Sequence, residues 1–157
     1  MIDPKQAEMT RLGRASLAPL LIGAAGVWLA NLIGRSGMAY DLGEITLIYA
    51  GLLAAYLAGV GAGGILRTPE SKESFLPGLI AALVAWLAIW PVGALSLPIN
   101  DIMRHFMIIG VFVYLLLRDL RGVEQGQLPA WYGALRRRLT FWTLFALALL
   151  LLRLIAR

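Results

Sequence analysis

His105 is the only histidine in the chain, and Asp101 stands four residues before it in "NDIMRHF". On a helix the two share a face, where a carboxylate could orient an imidazole for acid–base work or the pair could begin a metal site. Nothing in the sequence completes either arrangement. With no cysteine and one histidine, a bis-histidine haem within the chain, a thiolate zinc site and a cysteine nucleophile are all excluded. No metal or other cofactor is expected, and no nucleophile, base and orienting group can be assembled, so the chain reads as a non-enzyme. The reading adopted here is that Asn100 or Asp101 caps a helix while Arg104 and His105 face the headgroups.

Glu44, with Asp41 in "YDLGEITLIY", is the second acidic candidate. Acidic residues at a helix start are favoured by its dipole, so capping is the adopted reading, and a cation or proton site at Glu44 is the alternative. A possible polar site thus comprises Asp101, Arg104, His105 and Glu44, drawn from two segments. Asn31 has the chemistry to hydrogen-bond a neighbouring helix within a membrane.

The elements that must position these residues follow from composition. The chain has 157 residues, 60% of them hydrophobic, and a mean hydropathy of +0.78. That is too apolar for a soluble domain and predicts one integral membrane domain over 1–157, an all-α polytopic bundle. By the requirement for about 20 apolar residues per crossing, five spans are expected, at roughly 16–34, 44–66, 75–96, 100–119 and 138–156. Pro77 suits the first turn of the third span, and Pro91 predicts a kink or an early stop near its end. None of the span centres carries an ionisable side chain, which argues against a proton relay, and no span contains lysine, which excludes a retinal Schiff base.

The net charge is +5 and the pI about 10.1, but the basic residues flank apolar spans, so no nucleic-acid partner is expected. Lys5, Arg11, Arg14, Arg67, Lys72, Arg118, Arg121, Arg136, Arg137 and Arg138 fall on one side of the predicted spans; only Arg35, Arg104, Arg153 and Arg157 fall on the other. This asymmetry predicts a cytoplasmic amino terminus and an external carboxyl terminus, with the first span kept as an anchor. Trp131, Tyr132, Arg136, Arg137 and Arg138 read as an interface anchor against anionic lipid.

The second span, "YAGLLAAYLAGVGAGG", carries two stripes of small residues: Gly51, Ala55, Gly59 and Gly63 on one, and Ala50, Ala54, Ala58 and Ala62 on the next. Small residues let membrane helices approach closely. The glycine stripe is expected to receive the first span through Gly26 and Ala30, which with Gly34 form a matching series, and the alanine stripe around Ala58 to meet another span or a partner.

"QLPAWYGALRRRLTFW", Gln127 to Trp142, resembles the carboxyl-terminal signature of a family of small bacterial membrane proteins of unknown function related to mitochondrial transmembrane protein sixty-nine: Leu-Pro-x-Trp-Tyr, a Leu-Arg pair, then Leu-Thr opening the last span. "LIYAGLLAAYLAGVGAGGIL" and "LPGLIAALVAWLAIW" are similar to its second and third spans. The family commonly has a His-Trp pair after the glycines of the second span, where this chain has Gly61, Ala62, Gly63 and Gly64. The resemblance implies a multi-pass protein of the bacterial inner membrane, without an established activity. The expected function is a non-catalytic accessory, assembly or stabilising subunit packing against another membrane protein, in an energy-transducing complex for example, or against a second copy of itself. The alternative is a small transporter or channel for an uncharged or lipid-like solute.

Overall fold

The computed structural model describes residues 4–66, 74–91 and 98–156. They form five helices: α1 (Pro4–Leu32), α2 (Ser36–Leu66), α3 (Leu76–Ala88), α4 (Asp101–Glu124) and α5 (Ala130–Ile155). Arg67, Lys72 and Arg157, which enter the expected charge asymmetry, lie outside the described residues, as do the side chains of Lys5 and Ala62.

Local chemistry sets the helix ends. At the end of α1, Gly34 adopts a φ of 73°, the Arg35 N–H donates to the Ala30 carbonyl at 2.8 Å and the Gly34 N–H donates to the Asn31 carbonyl at 3.0 Å. This paired closure satisfies the last carbonyls and needs a residue tolerant of positive φ. Gly34 is therefore a turn residue and not part of a packing series. So tight a reversal lets α2 begin at Ser36 rather than at 44. Glu44 then lies roughly 12 Å along the helix, and neither it nor Asp41 is a cap. Asn100 does cap α4, its Oδ1 accepting from the Met103 N–H at 2.8 Å. α3 takes Pro77 into its first turn as expected but ends at Ala88; Pro91 lacks an N–H and disfavours helical backbone at Trp90. The α4–α5 turn repeats the first closure, with Gly126 at a φ of 74° and Gln127 N–H donating to the Gly122 carbonyl at 2.9 Å.

α1, α2 and α5 are each long and apolar enough to cross a membrane. α3 is apolar but has only 13 residues, about 20 Å of helix. α4 has 24 residues and carries charged side chains toward both ends. Each helix packs on its neighbours in sequence and α1 packs on α5, closing a ring; α2 also meets α4 across the middle. The centre is filled by Leu20, Leu47, Ala50, Ala54, Ala85, Ala88, Ala146 and Leu147, all fully buried. Polar ties join the outer neighbours, with Tyr49 Oη donating to the Ser16 carbonyl at 2.9 Å and Trp28 Nε1 to the Leu149 carbonyl at 3.2 Å.

The glycine stripe of α2 is used differently from the expectation. A Cβ at Gly51 would collide with the Ile89 side chain and lie 3.3 Å from the Ala85 carbonyl oxygen, so this glycine receives α3. α1 meets α2 elsewhere: a Cβ at Gly23 would collide with the Thr46 side chain, and one at Gly26 would lie 3.3 Å from Leu42. Ala30 is buried and Ala55 half-buried, whereas Gly59 and Gly63 are exposed and a Cβ on either would meet nothing within 4 Å. The alanine stripe, Ala50, Ala54 and Ala58, points into the core. The reason is geometric. α2 touches three other helices and turns its alanines to the centre, and the adjacent stripe, about 100° further round, is left at the side.

Candidate functional site

The ring brings charged side chains together at both ends. Where α2 and α4 begin, Arg104 is fully buried. Its Nη1 and Nη2 donate to Glu44 Oε1 and Oε2 at 2.6 and 2.9 Å, Nη1 also reaches Asp101 Oδ1 at 3.1 Å, and Nε donates to the Ala88 carbonyl at 2.9 Å. The planar fork matches a carboxylate with two parallel bonds, and the remaining donor satisfies a carbonyl that the end of α3 leaves without a helical partner. One guanidinium thus ties α2, α3 and α4 together. Arg104 and His105, the latter 5% exposed, do not face the headgroups: the polar side of α4's first turn is turned toward Glu44.

His105 Nδ1 lies 2.8 Å from the Asp101 backbone carbonyl. A carbonyl only accepts, so Nδ1 carries the proton and Nε2 is the acceptor in the neutral ring. The Asp101 carboxylate is directed to Arg104 and not to the imidazole, so the carboxylate-oriented histidine considered from the sequence does not form. At the same end Arg153 Nη2 donates to Asn31 Oδ1 at 2.6 Å, joining α5 to α1 through the interhelical amide contact read from Asn31. A cavity of about 30 Å³, lined in part by Glu44, Asp101, His105 and Arg153, lies between these groups; it has room for one water.

At the opposite end, Arg136 Nε donates to Asp119 Oδ2 at 2.6 Å, and Tyr132 Oη donates to the same oxygen at 3.4 Å. All three residues are buried. The interface anchor expected at Trp131, Tyr132, Arg136, Arg137 and Arg138 therefore divides: Arg137 and Arg138 are exposed and Trp131 half-exposed, while Tyr132 and Arg136 turn inward to α4. Helical spacing is the cause, since Tyr132, Arg136, Thr140 and Thr143 occupy one buried face of α5. Sequence reasoning missed Asp119. The available signal was an acid at the end of one helix facing an arginine–tyrosine pair, four apart, at the start of the next. Beside it, Arg118 buries Nη1 and Nη2 without a hydrogen-bond partner among the described residues. A Cβ at Gly61 or Gly78 would stand 3.3 or 2.9 Å from its Nη1, so these two glycines make room for the guanidinium.

Both clusters are built as clamps. Their ion pairs run across helix interfaces, and among the described residues no three His, Cys, Asp or Glu side chains are grouped to hold a metal. Next to Arg136, a cavity of about 430 Å³ opens between the first half of α1, the second half of α2 and the start of α5. Its inner wall includes the buried Leu17, Tyr132, Arg136 and Thr143, and its rim the exposed Glu8, Leu12 and Tyr56.

No curated protein and no solved structure matches the chain. The family model DUF3429, described as a protein of unknown function, matches residues 5–152, from the first turn of α1 to the last turns of α5, and so takes in both clusters. The chain belongs to this uncharacterised family, DUF3429.

Proposed function

We propose that the protein is a non-catalytic accessory or assembly subunit of a bacterial inner membrane, with its amino terminus in the cytoplasm, and that it holds another membrane protein through the uncovered side of α2. The observation that carries this reading is the state of that side. Leu52 and Tyr56 are 58% and 67% exposed, and Gly59 and Gly63 below them leave open backbone. Exposed leucine is neutral in lipid, whereas exposed glycine allows the close backbone approach on which membrane helix association depends. The kinship with transmembrane protein sixty-nine rests on the Trp131–Tyr132 signature and belongs to the same proposal.

The test is extraction of the full chain in mild detergent, with a cysteine at Gly59 for cross-linking. Co-migration with a different membrane protein, cross-linked at that position, is the expected result. A chain that runs alone, or only with copies of itself, overturns the heteromeric reading. The transport alternative has one observation in its favour, the cavity between α1, α2 and α5, and one against it, the filled centre of the ring. Solute flux in liposomes is its test.

A further inference from the structure

The cavity beside Arg136 combines three features that a packing defect does not require. Its wall is mostly apolar side chains of α1, α2 and α5. Its rim is open between α1 and α2, where Leu12 and Tyr56 are 56% and 67% exposed. Its inner wall includes Arg136, which is 3% exposed: its Nε is engaged by Asp119, and its Nη2 is buried with no hydrogen-bond partner among the described residues. A buried charged donor left unmet is costly, and native proteins rarely leave one so. Of the other polar groups on the lining, Ser16 Oγ donates to the Gly13 carbonyl, Thr143 Oγ1 to the Leu139 carbonyl and Tyr132 Oη to Asp119.

We infer that this cavity binds an uncharged, membrane-soluble amphiphile, with a carbonyl oxygen of its polar end accepting from Arg136 Nη2 and its apolar body lying between Leu12, Leu53, Leu57 and Leu139. The lining itself favours an uncharged head: its arginine is paired with Asp119, and its other charged group is the carboxylate of Glu8 at the rim, which repels an anion. A volume of about 430 Å³ lies in the range of small-molecule sites and accepts one ring with a short tail or the ester region of a lipid. The carbonyl is the shared chemistry. It can belong to a membrane quinone or to the ester of a diacyl lipid. The site shares Tyr56 with the α2 face proposed to hold a partner but not Gly59 or Gly63, and binding to the purified chain reads it apart from that partner.

The test titrates the purified full chain, in detergent, with decylubiquinone and separately with dioleoylglycerol, following binding by native mass spectrometry. Two variants accompany it. Arg136→Lys keeps a cation for Asp119 but removes the second arm of the fork. Leu12→Trp fills the rim from an exposed position that the fold does not depend on. The expected result is saturable binding of one molecule per chain, weakened about tenfold or more by Arg136→Lys, in line with a hydrogen bond to a charged group, and abolished by Leu12→Trp. Binding of the quinone alone assigns the carbonyl to a ring, and binding of dioleoylglycerol alone assigns it to an ester; either supports the site. Saturable binding of neither probe overturns the inference and leaves Nη2 to water, and so does binding that Leu12→Trp leaves unchanged.

Discussion

A guanidinium with no exposed surface must find all its partners inside the protein, and Arg104 finds them on three helices. Removing one partner of such a pair costs about 3–5 kcal/mol. Glu44 keeps 23% of its side chain exposed and Asp101 stays in contact with Arg104, so Glu44→Ala is expected near the lower end, about 3 kcal/mol. Unfolding in a denaturing detergent series measures this, with exposed Glu124→Ala as the control that changes little. The arginine triplet separates in the same way. Arg136→Gln is expected to lower stability because it strips Asp119 of its ion-pair partner. Arg137→Gln with Arg138→Gln should leave stability intact and reduce co-purified phosphatidylglycerol, each exposed basic residue contributing about 1 kcal/mol at an anionic surface. Equal lipid retention in parent and double variant would leave those two arginines with no role in lipid binding. The sequence offered Glu44, Asp101, Arg104 and His105 as candidates but not their union, because the pairing depends on how α2 and α4 rotate about their axes. Hydropathy does not report that rotation.

For helices, the sequence was informative about type and order and less so about ends and faces. Five helical segments in the expected order are present, since long apolar runs admit little else in lipid. The start of α2 at Ser36 was hidden because Tyr40, Asp41 and Glu44 lower the local hydropathy, although they extend the helix and Glu44 carries its ion pair to Arg104. The two stripes of α2 were visible as stripes, yet which one faces inward is decided by a helix with three neighbours choosing the side that fits all of them. This yields a contrast. Gly51→Leu must displace Ile89 and the α3 backbone and is expected to destabilise the bundle by about 1–3 kcal/mol, the usual cost of overpacking, and Ala58→Leu is expected to do the same from the core. Gly59→Leu, with open space around its Cβ, should leave the bundle's stability unchanged. Thermal melts of the three variants check this ordering.

As a whole, the molecule is a ring of helices clamped by Arg104 at one end and by the Asp119–Arg136 pair at the other, with α2 covered along its alanine side and at Gly51 and uncovered around Gly59 and Gly63. The excess of Lys and Arg at the Asp119–Arg136 end predicts that this end is cytoplasmic. The chain has no native cysteine, so a single cysteine at Gln125 should resist an impermeant reagent added to intact cells, and labelling there would reverse the orientation. The account rests most heavily on the uncovered side of α2, and one comparison addresses it directly: recovery of the co-purifying membrane protein with Gly59→Leu against the parent chain, in the same mild detergent and at matched melting temperature. The account predicts an intact bundle that has lost its partner. A Gly59→Leu chain that retains both its fold and its partner would contradict it.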